Sequence, residues 1–582
     1  MNYHRVSCHI NLLALSVTAL GLVACSGGSP GGSPGFTLSA SALTPNPASA
    51  GGSATSTIQV ASLFGYAGAV NLSCTITDGS PAPSAPAPTC TFSTPVVTIT
   101  NSTSAAVQMT VTIANSTAGG TFDVSVSGVG ADGLAPSNGP QQLTLKEAGV
   151  IKHVVIIFQE NRSTDNLFHD PVLIARGADI ASSGVNSFGN TIPLTPIDLG
   201  TVGPNPQDYD LVHSHAAWVL EYDGGKMDGA NLVPCNPVSA CKPPAHPNAQ
   251  FHYVEPTDVA PYFALAEQYT FADRMFQTHE GPSFPAHQFI ISGTSAPTAT
   301  STLFDSENAT ESITEPSGCL SPLGTLVKMI DAQGSEDVPE EYPCFEHPTL
   351  TDLLQTDGHT WRYYTPSAGT IWTGPVAINH MCQEQTINSV RTCTGPDWSN
   401  VIIPQTRFLS DIANGELADV TWIIPDGADS DHAASNNGTG PFWVASLVNA
   451  IGNSPYWANT AIFITWDDWG GWFDHVQPRV INDGVSWGSG YAYGFRVPLI
   501  VVSPYAKKAY VSHVEHDFGS VLKYIETLFQ LPSLGYADTP ADDLSDCFDM
   551  TQAPTVFQPI PSALNAAYFL KRTDAAVDPD DD

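Results

Sequence analysis

Two adjacent carboxylates, Asp467 and Asp468, follow the apolar run Thr460 to Thr465 and precede Trp469-Gly470-Gly471-Trp472-Phe473-Asp474-His475. The β-branched run reads as a buried strand. In open α/β sheets, ligands gather beyond the carboxyl ends of strands. Adjacent carboxylates there repel unless a cation or a proton lies between them, so the pair reads as half of a metal site built on hard oxygen donors. The plain alternative is a polar turn with a capping Asp. Four further segments place polar groups at comparable positions. Glu160 and Asn161 directly follow the strand-like His153 to Phe158 and offer two more oxygen donors. Ser283 opens an apolar, helix-like stretch, where backbone N–H groups favour an anion, although Ser is equally a common cap. His213-Ser214-His215 precedes Asp223-Gly224-Gly225-Lys226, which brings proton donors and a cation for phosphate. Asp426 to His432 (DGADSDH) follows the strand-like Val420 to Ile424. One such cluster is weak evidence, but five at strand ends or helix starts are hard to explain as caps and turns.

The elements that position these groups come in two styles. From Phe36 to about Leu145 the chain is rich in Ser, Thr, Ala, Val and Gly and nearly free of charge. Short alternating runs separated by turn signals predict an antiparallel β-sandwich over 36–147. From Ile151 onward, Val- and Ile-rich strands (153–158, 420–424, 461–465 and 497–502) alternate with amphipathic segments such as Phe442 to Ile451 and Phe518 to Leu528. That alternation predicts an α/β domain over 150–570, with a mostly parallel sheet covered by helices on both faces. The polar stretches 165–260 and 300–400 are expected to be loops and insertions. Residues 571–582 read as an acidic, disordered tail.

Composition narrows the partners. The 582-residue chain carries 56 acidic against 19 basic residues, a formal net charge of -37. No basic footprint for nucleic acid exists, and docking on anionic lipid by charge is disfavoured. Arg5 and the apolar Ile10 to Val23 have the form of an export signal over 1–25, and Ser26 to Gly35 of a flexible linker. Close cysteine pairs suggest disulfides Cys74 with Cys90, Cys235 with Cys241, Cys319 with Cys344 and Cys382 with Cys393. Cys547 is left over.

Several of these stretches carry resemblances. Leu22-Val23-Ala24-Cys25 resembles the lipobox of bacterial lipoproteins, which implies lipidation of Cys25 and a membrane-anchored protein of the cell envelope. Residues 36–147 resemble bacterial immunoglobulin-like domains in pattern and spacing. The segments IKHVVIIFQENRSTDNLFHDPV (151–172), HSH…YDGGKMDG (213–229), GPSFPAHQF (281–289), SDH (430–432) and PYWANTAIFITWDDWGGWFDHVQP (455–478) resemble one bacterial phosphoesterase family. That family holds phosphatidylcholine-hydrolysing phospholipases C and respiratory-burst-inhibiting acid phosphatases. The resemblance implies an alkaline-phosphatase-like fold and a divalent metal ion of unknown identity on Glu160, Asn161, Asp467 and Asp468. It implies Ser283 as the nucleophile that forms a phospho-enzyme. It also implies that His432 and one of His213 or His215 contact phosphate or protonate the leaving group. Lys226, His287 and His475 are candidate substrate contacts. Where many relatives read Pro-Asn-Arg, this chain reads Pro285-Ala286-His287, which puts the substrate side of the pocket in question. The expected substrate is a phospholipid or a small phosphomonoester. A sulfatase would need an Arg that the Ser283 segment lacks. A non-enzymatic adhesion lipoprotein would leave the acidic clusters without a purpose.

Overall fold

The computed structural model describes residues 32–49, 51–79, 87–100, 103–113, 120–242, 245–309, 316–482, 484, 487–550 and 552–572. The predicted export signal with Cys25, linker residues 26–31 and tail residues 573–582 lie outside the described residues. Among the described residues, no helix is long and apolar enough to cross a membrane.

The N-terminal part is all β. A four-stranded sheet (Gly35–Ala40, Ser53–Leu63, Ser104–Thr112, Thr89–Phe92) faces a five-stranded one (Ala48–Ser49, Gln141–Ala148, Gly120–Gly130, Gly68–Asp78, Val96–Ile99). Alternate residues of each strand point inward. Ile58, Val60, Met109, Val111, Phe122, Val124 and Val126 thus form one buried core. Cys74 on one sheet is bonded to Cys90 on the other.

The second part is α/β. Its main sheet has eight strands: β1 His153–Gln159, β2 Thr270–Ala272, β3 Trp361–Tyr364, β4 Val401–Ile402, β5 Val420–Ile423, β6 Thr460–Trp466, β7 Leu499–Val502 and β8 Tyr510–Ser512. They lie in the order β4-β3-β5-β1-β6-β7-β2-β8. The sheet is mixed. β1 runs parallel to β5 and β6, and β3 to β4 and β5, but β7 is antiparallel to both of its neighbours. The expectation of a mostly parallel sheet holds with that one strand reversed.

The central strands are buried on both faces, which explains their unbroken apolar sequence. On β6 the alternation is visible directly. Phe463 meets Tyr524 of helix Phe518–Phe529, whereas Trp466 points the other way, onto Tyr262 of helix Ala260–Gln268. Helices therefore cover both faces. The insertions are partly ordered: helices His215–Tyr222 and Leu350–Thr356, and strands β3 and β4, fall in stretches read as loop or left without an element. Disulfides Cys235–Cys241, Cys319–Cys344 and Cys382–Cys393 staple them, and Cys547 is a buried free thiol.

Candidate active site

The register of two strands builds the centre of the site. β1 and β6 pair from His153↔Thr460 to Gln159↔Trp466. The next residues, Glu160 and Asp467, therefore leave the sheet side by side. The ladder continues through Asp467 N–H to the Gln159 carbonyl at 2.9 Å, and Asn161 N–H donates to Asp467 Oδ1 at 2.9 Å. Asp467 Oδ1 also accepts the Asp468 N–H at 2.7 Å, and Asp468 Oδ1 accepts that of Gly470 at 2.7 Å. Each Asp thus spends one oxygen on the turn. Asn161 sits at φ 60°, a left-handed conformation that Asn tolerates better than most residues.

Two glycines let the turn close. At Gly471 (φ 71°) a Cβ would lie 2.6 Å from the Leu211 Cβ and 2.9 Å from the Val212 carbonyl. That close approach holds the turn against the segment carrying His213. Gly471→Ala is expected to cost roughly 1–3 kcal/mol through combined strain and clash. A thermal melt of the variant checks this, and an unchanged melting temperature would contradict it.

Helix Ser283–Ser292 enters from the side. Its cap position is Pro282, and Ser283 is its first helical residue. The Ser283 hydroxyl does not cap the helix; it donates to Asp468 Oδ2 at 3.4 Å. The reading of Ser283 as an ordinary cap therefore fails. Glu160, Asn161, Ser283, His287, Asp467 and Asp468 are all fully buried.

His287, one turn further along, departs most from its expected place. It was expected among the substrate contacts, yet its Nε2 lies 3.4 Å from Glu160 Oε1 and 4.0 Å from Asp467 Oδ2. Glu160, His287 and Asp467 offer donor atoms that all lie within 4.8 Å of one another. Burial, with the neighbouring His279, holds the His287 imidazole well below its usual range. Among the described residues, Asn161 Oδ1, His287 Nε2 and Asp467 Oδ2 are buried with no hydrogen-bond partner. His287 Nε2 and Asp467 Oδ2 lie 4.0 Å apart, and unpartnered buried donor atoms so close together fit a bound cation.

His213 and His432 form the other wall. The two rings lie 5.8 Å apart. His213 Nδ1 donates to the Leu211 carbonyl at 2.8 Å, so Nε2 accepts from Asn161 Nδ2 at 2.9 Å. This bond turns the amide so that Asn161 Oδ1 faces away from His213. His432 Nδ1 donates to the Ala433 carbonyl at 2.7 Å, and its Nε2 lies 4.0 Å from Asp210 Oδ2. The His432 loop is held by Arg162, whose buried guanidinium donates twice to the Asp431 carbonyl and stacks 5.3 Å over Trp472. Burial lowers Arg162 to about 10 and raises the Asp431 carboxyl to about 6.

Three expected contacts lie elsewhere. His215 bonds to the Glu280 carbonyl at 2.6 Å and the Gly334 carbonyl at 3.3 Å, so of the two histidines it is His213 that joins the cluster. Lys226 is exposed and pairs with Asp223 at 2.6 Å. His475 belongs to a separate ionic network with Asp165, Asp179 and Arg496. Asp165, Asp474 and His475 also lie close enough together to hold an ion. There, however, Arg496 Nε and Nη2 and backbone N–H groups satisfy the carboxylates, so this group reads as an ion-pair network.

A serine at a helix start thus stands beside paired carboxylates on the carboxyl edge of an α/β sheet, an arrangement that suits the hydrolysis of phosphoric esters. The chain belongs to the Phosphoesterase family, whose model matches residues 151–532. Phospholipase C B of Mycobacterium tuberculosis (strain ATCC 25618 / H37Rv) is 24% identical over 451 residues, covering 70% of this chain and 80% of the relative. Non-hemolytic phospholipase C of Pseudomonas aeruginosa is 23% identical over 428 residues, covering 65% of this chain and 54% of the relative. Among solved structures, a protein in the alkaline phosphatase superfamily from Vibrio parahaemolyticus aligns with TM-score 0.27 and 10% identity over 67% of this chain and 70% of its own.

Proposed function

We propose that the protein is a metal-dependent phosphodiesterase of the phospholipase C type, acting through a covalent intermediate on Ser283. The observation that carries this reading is the placement of the Ser283 hydroxyl. It stands at the first residue of a ten-residue helix, against Asp468 and beside the unpartnered donors of Asn161, His287 and Asp467. Glu160, Asn161, Asp467 and Asp468 would hold the divalent ion. The ion would favour the ionised serine and offset charge on the phosphoryl oxygens. The Ser283 oxygen attacks phosphorus, its proton passing toward Asp468, and the bond to the leaving alcohol breaks. The helix N-terminus faces the phosphoryl oxygens. His432 gives the leaving oxygen its proton, and a proton on Nε2 there faces the Asp210 carboxylate. Water then attacks phosphorus and gives a proton back to His432 as the serine–phosphorus bond breaks, and the proton held at Asp468 returns to the Ser283 oxygen. The phospholipase C relatives favour a diester over a monoester substrate. We read the N-terminal domain as an immunoglobulin-like spacer or adhesion module, and Cys25 as a lipid anchor holding an exported enzyme at the membrane.

The test is hydrolysis of p-nitrophenyl phosphorylcholine and p-nitrophenyl phosphate side by side, with and without chelator. Release from the diester alone, abolished by chelator and restored by added divalent metal, is expected. Release from the monoester alone would make the protein a phosphatase. Chelator-resistant turnover would overturn the metal requirement.

A further inference from the structure

Glu160, Asn161, Asp467 and Asp468 are an all-oxygen set, which by itself points to a hard cation. His287 changes that set, and hydrogen-bond geometry fixes how. The Tyr363 hydroxyl has one proton, and it donates that proton to the Trp372 carbonyl at 2.9 Å. The same oxygen accepts the Gly374 N–H at 3.2 Å. Toward His287 Nδ1, 3.2 Å away, it can therefore only accept, so Nδ1 carries the hydrogen. Nε2 makes no hydrogen bond of its own and lies 3.4 Å and 4.0 Å from carboxylate oxygens of Glu160 and Asp467, the environment of a ligating lone pair. Three such donors converging in a dry site repel one another unless a cation or a proton lies between them, and a proton on Nε2 would have no hydrogen-bond partner among the described residues. The ring is further fixed edge-on to Phe158, centroids 4.9 Å apart, and the His287 carbonyl packs against Gly374, where a Cβ would lie 2.2 Å away. A carbonyl or hydroxyl partner orienting the far nitrogen of an imidazole is what metal-ligating histidines ordinarily show.

We propose that His287 is a nitrogen ligand of the metal, with Tyr363 as its positioning residue, and that it tunes the site to a borderline first-row ion of the zinc class over magnesium or calcium. The inference rests on the metal reading above and goes beyond it by one ligand and one selectivity. Imidazole favours zinc, iron and their neighbours over the alkaline earths.

The experiment uses full-length protein stripped of metal. Zinc and magnesium affinities are measured by titration calorimetry for the wild type, His287→Phe and Tyr363→Phe, and X-ray absorption is recorded on the zinc-loaded wild type. The wild-type spectrum is expected to show imidazole scattering. His287→Phe keeps a ring in the pocket and is expected to lose about tenfold or more in zinc affinity, with magnesium changed less than about threefold. Tyr363→Phe frees the imidazole and is expected to show a smaller loss of the same sign. Binding of neither ion by the wild type overturns the metal reading itself. Zinc binding without imidazole scattering overturns only the role of His287, and it does so without requiring either variant to fold. Equal losses of zinc and magnesium affinity in His287→Phe overturn the selectivity.

Discussion

Ser283→Ala is expected to lower turnover of the phosphodiester by roughly 10⁴-fold or more while leaving the fold intact. The size follows from position. Ser283 is the hydroxyl at the helix start that touches Asp468, and alanine there removes the oxygen that attacks phosphorus in the proposed mechanism. The fold should survive because Ser283 does not cap its helix. The hydroxyl makes one long bond, while the Phe284 N–H beside it is already satisfied by Asn308 Oδ1 at 3.1 Å. The thermal melt should therefore move little. Rapid acid quenching of the wild type during turnover should leave the retained half of the ester on the peptide that carries Ser283. Mass spectrometry of that peptide gives a second, independent readout. A variant that keeps more than about a tenth of wild-type turnover would sink the covalent mechanism, because a true nucleophile cannot be dispensed with so cheaply.

How much of this site could be read from the chain depends on how locally each residue is specified. β1 and β6 announce themselves because they are buried on both faces and so run apolar without interruption. Glu160 and Asp467 follow each strand at once, so their pairing needed only a parallel register. β2, β4 and β8 have two or three residues each and earn their place from neighbouring strands, which no local pattern records. β7 was legible as a strand, but no local pattern records that it runs antiparallel to β6. Ser283 and the two carboxylates were legible by type. His287 was legible as a residue, but not its neighbours, because Tyr363 lies in a stretch with no strand signal of its own. His213 and His215 are two residues apart and both buried, and only their distant partners, Asn161 for His213 and the Glu280 carbonyl for His215, tell them apart. Lys226 shows the opposite failure. Its chemistry suits phosphate, but the Gly-rich turn holds it in solvent against Asp223.

The largest stability effect is expected at Arg496, in the network that His475 joins. Arg496, Asp165 and Asp474 are fully buried. The guanidinium binds Asp474 through Nε at 2.9 Å and Nη2 at 3.1 Å, lies 3.2 Å from Asp165 Oδ1, and donates through Nη1 to the carbonyls of Asp179 and Asp273. Arg496→Met would strand two buried carboxylates and two carbonyls, and the loss should be about 3–5 kcal/mol. Arg496→Lys should recover little, since an ammonium cannot span the same fork of acceptors. The same network predicts a pH dependence. Burial alone would lower His475, but the hydrogen bond to Asp165 and the charges of Asp165 and Asp474 outweigh it and raise the imidazole to about 9. A raised folded value means the proton is held more tightly in the native state. The contribution of His475 is therefore complete below about pH 6.5, and it fades as pH climbs through about 9. Urea midpoints of wild type and His475→Gln should differ most at pH 6 and converge above pH 9. A difference that grew with pH would mean that His475 is held neutral, and that Arg496 alone balances the two carboxylates.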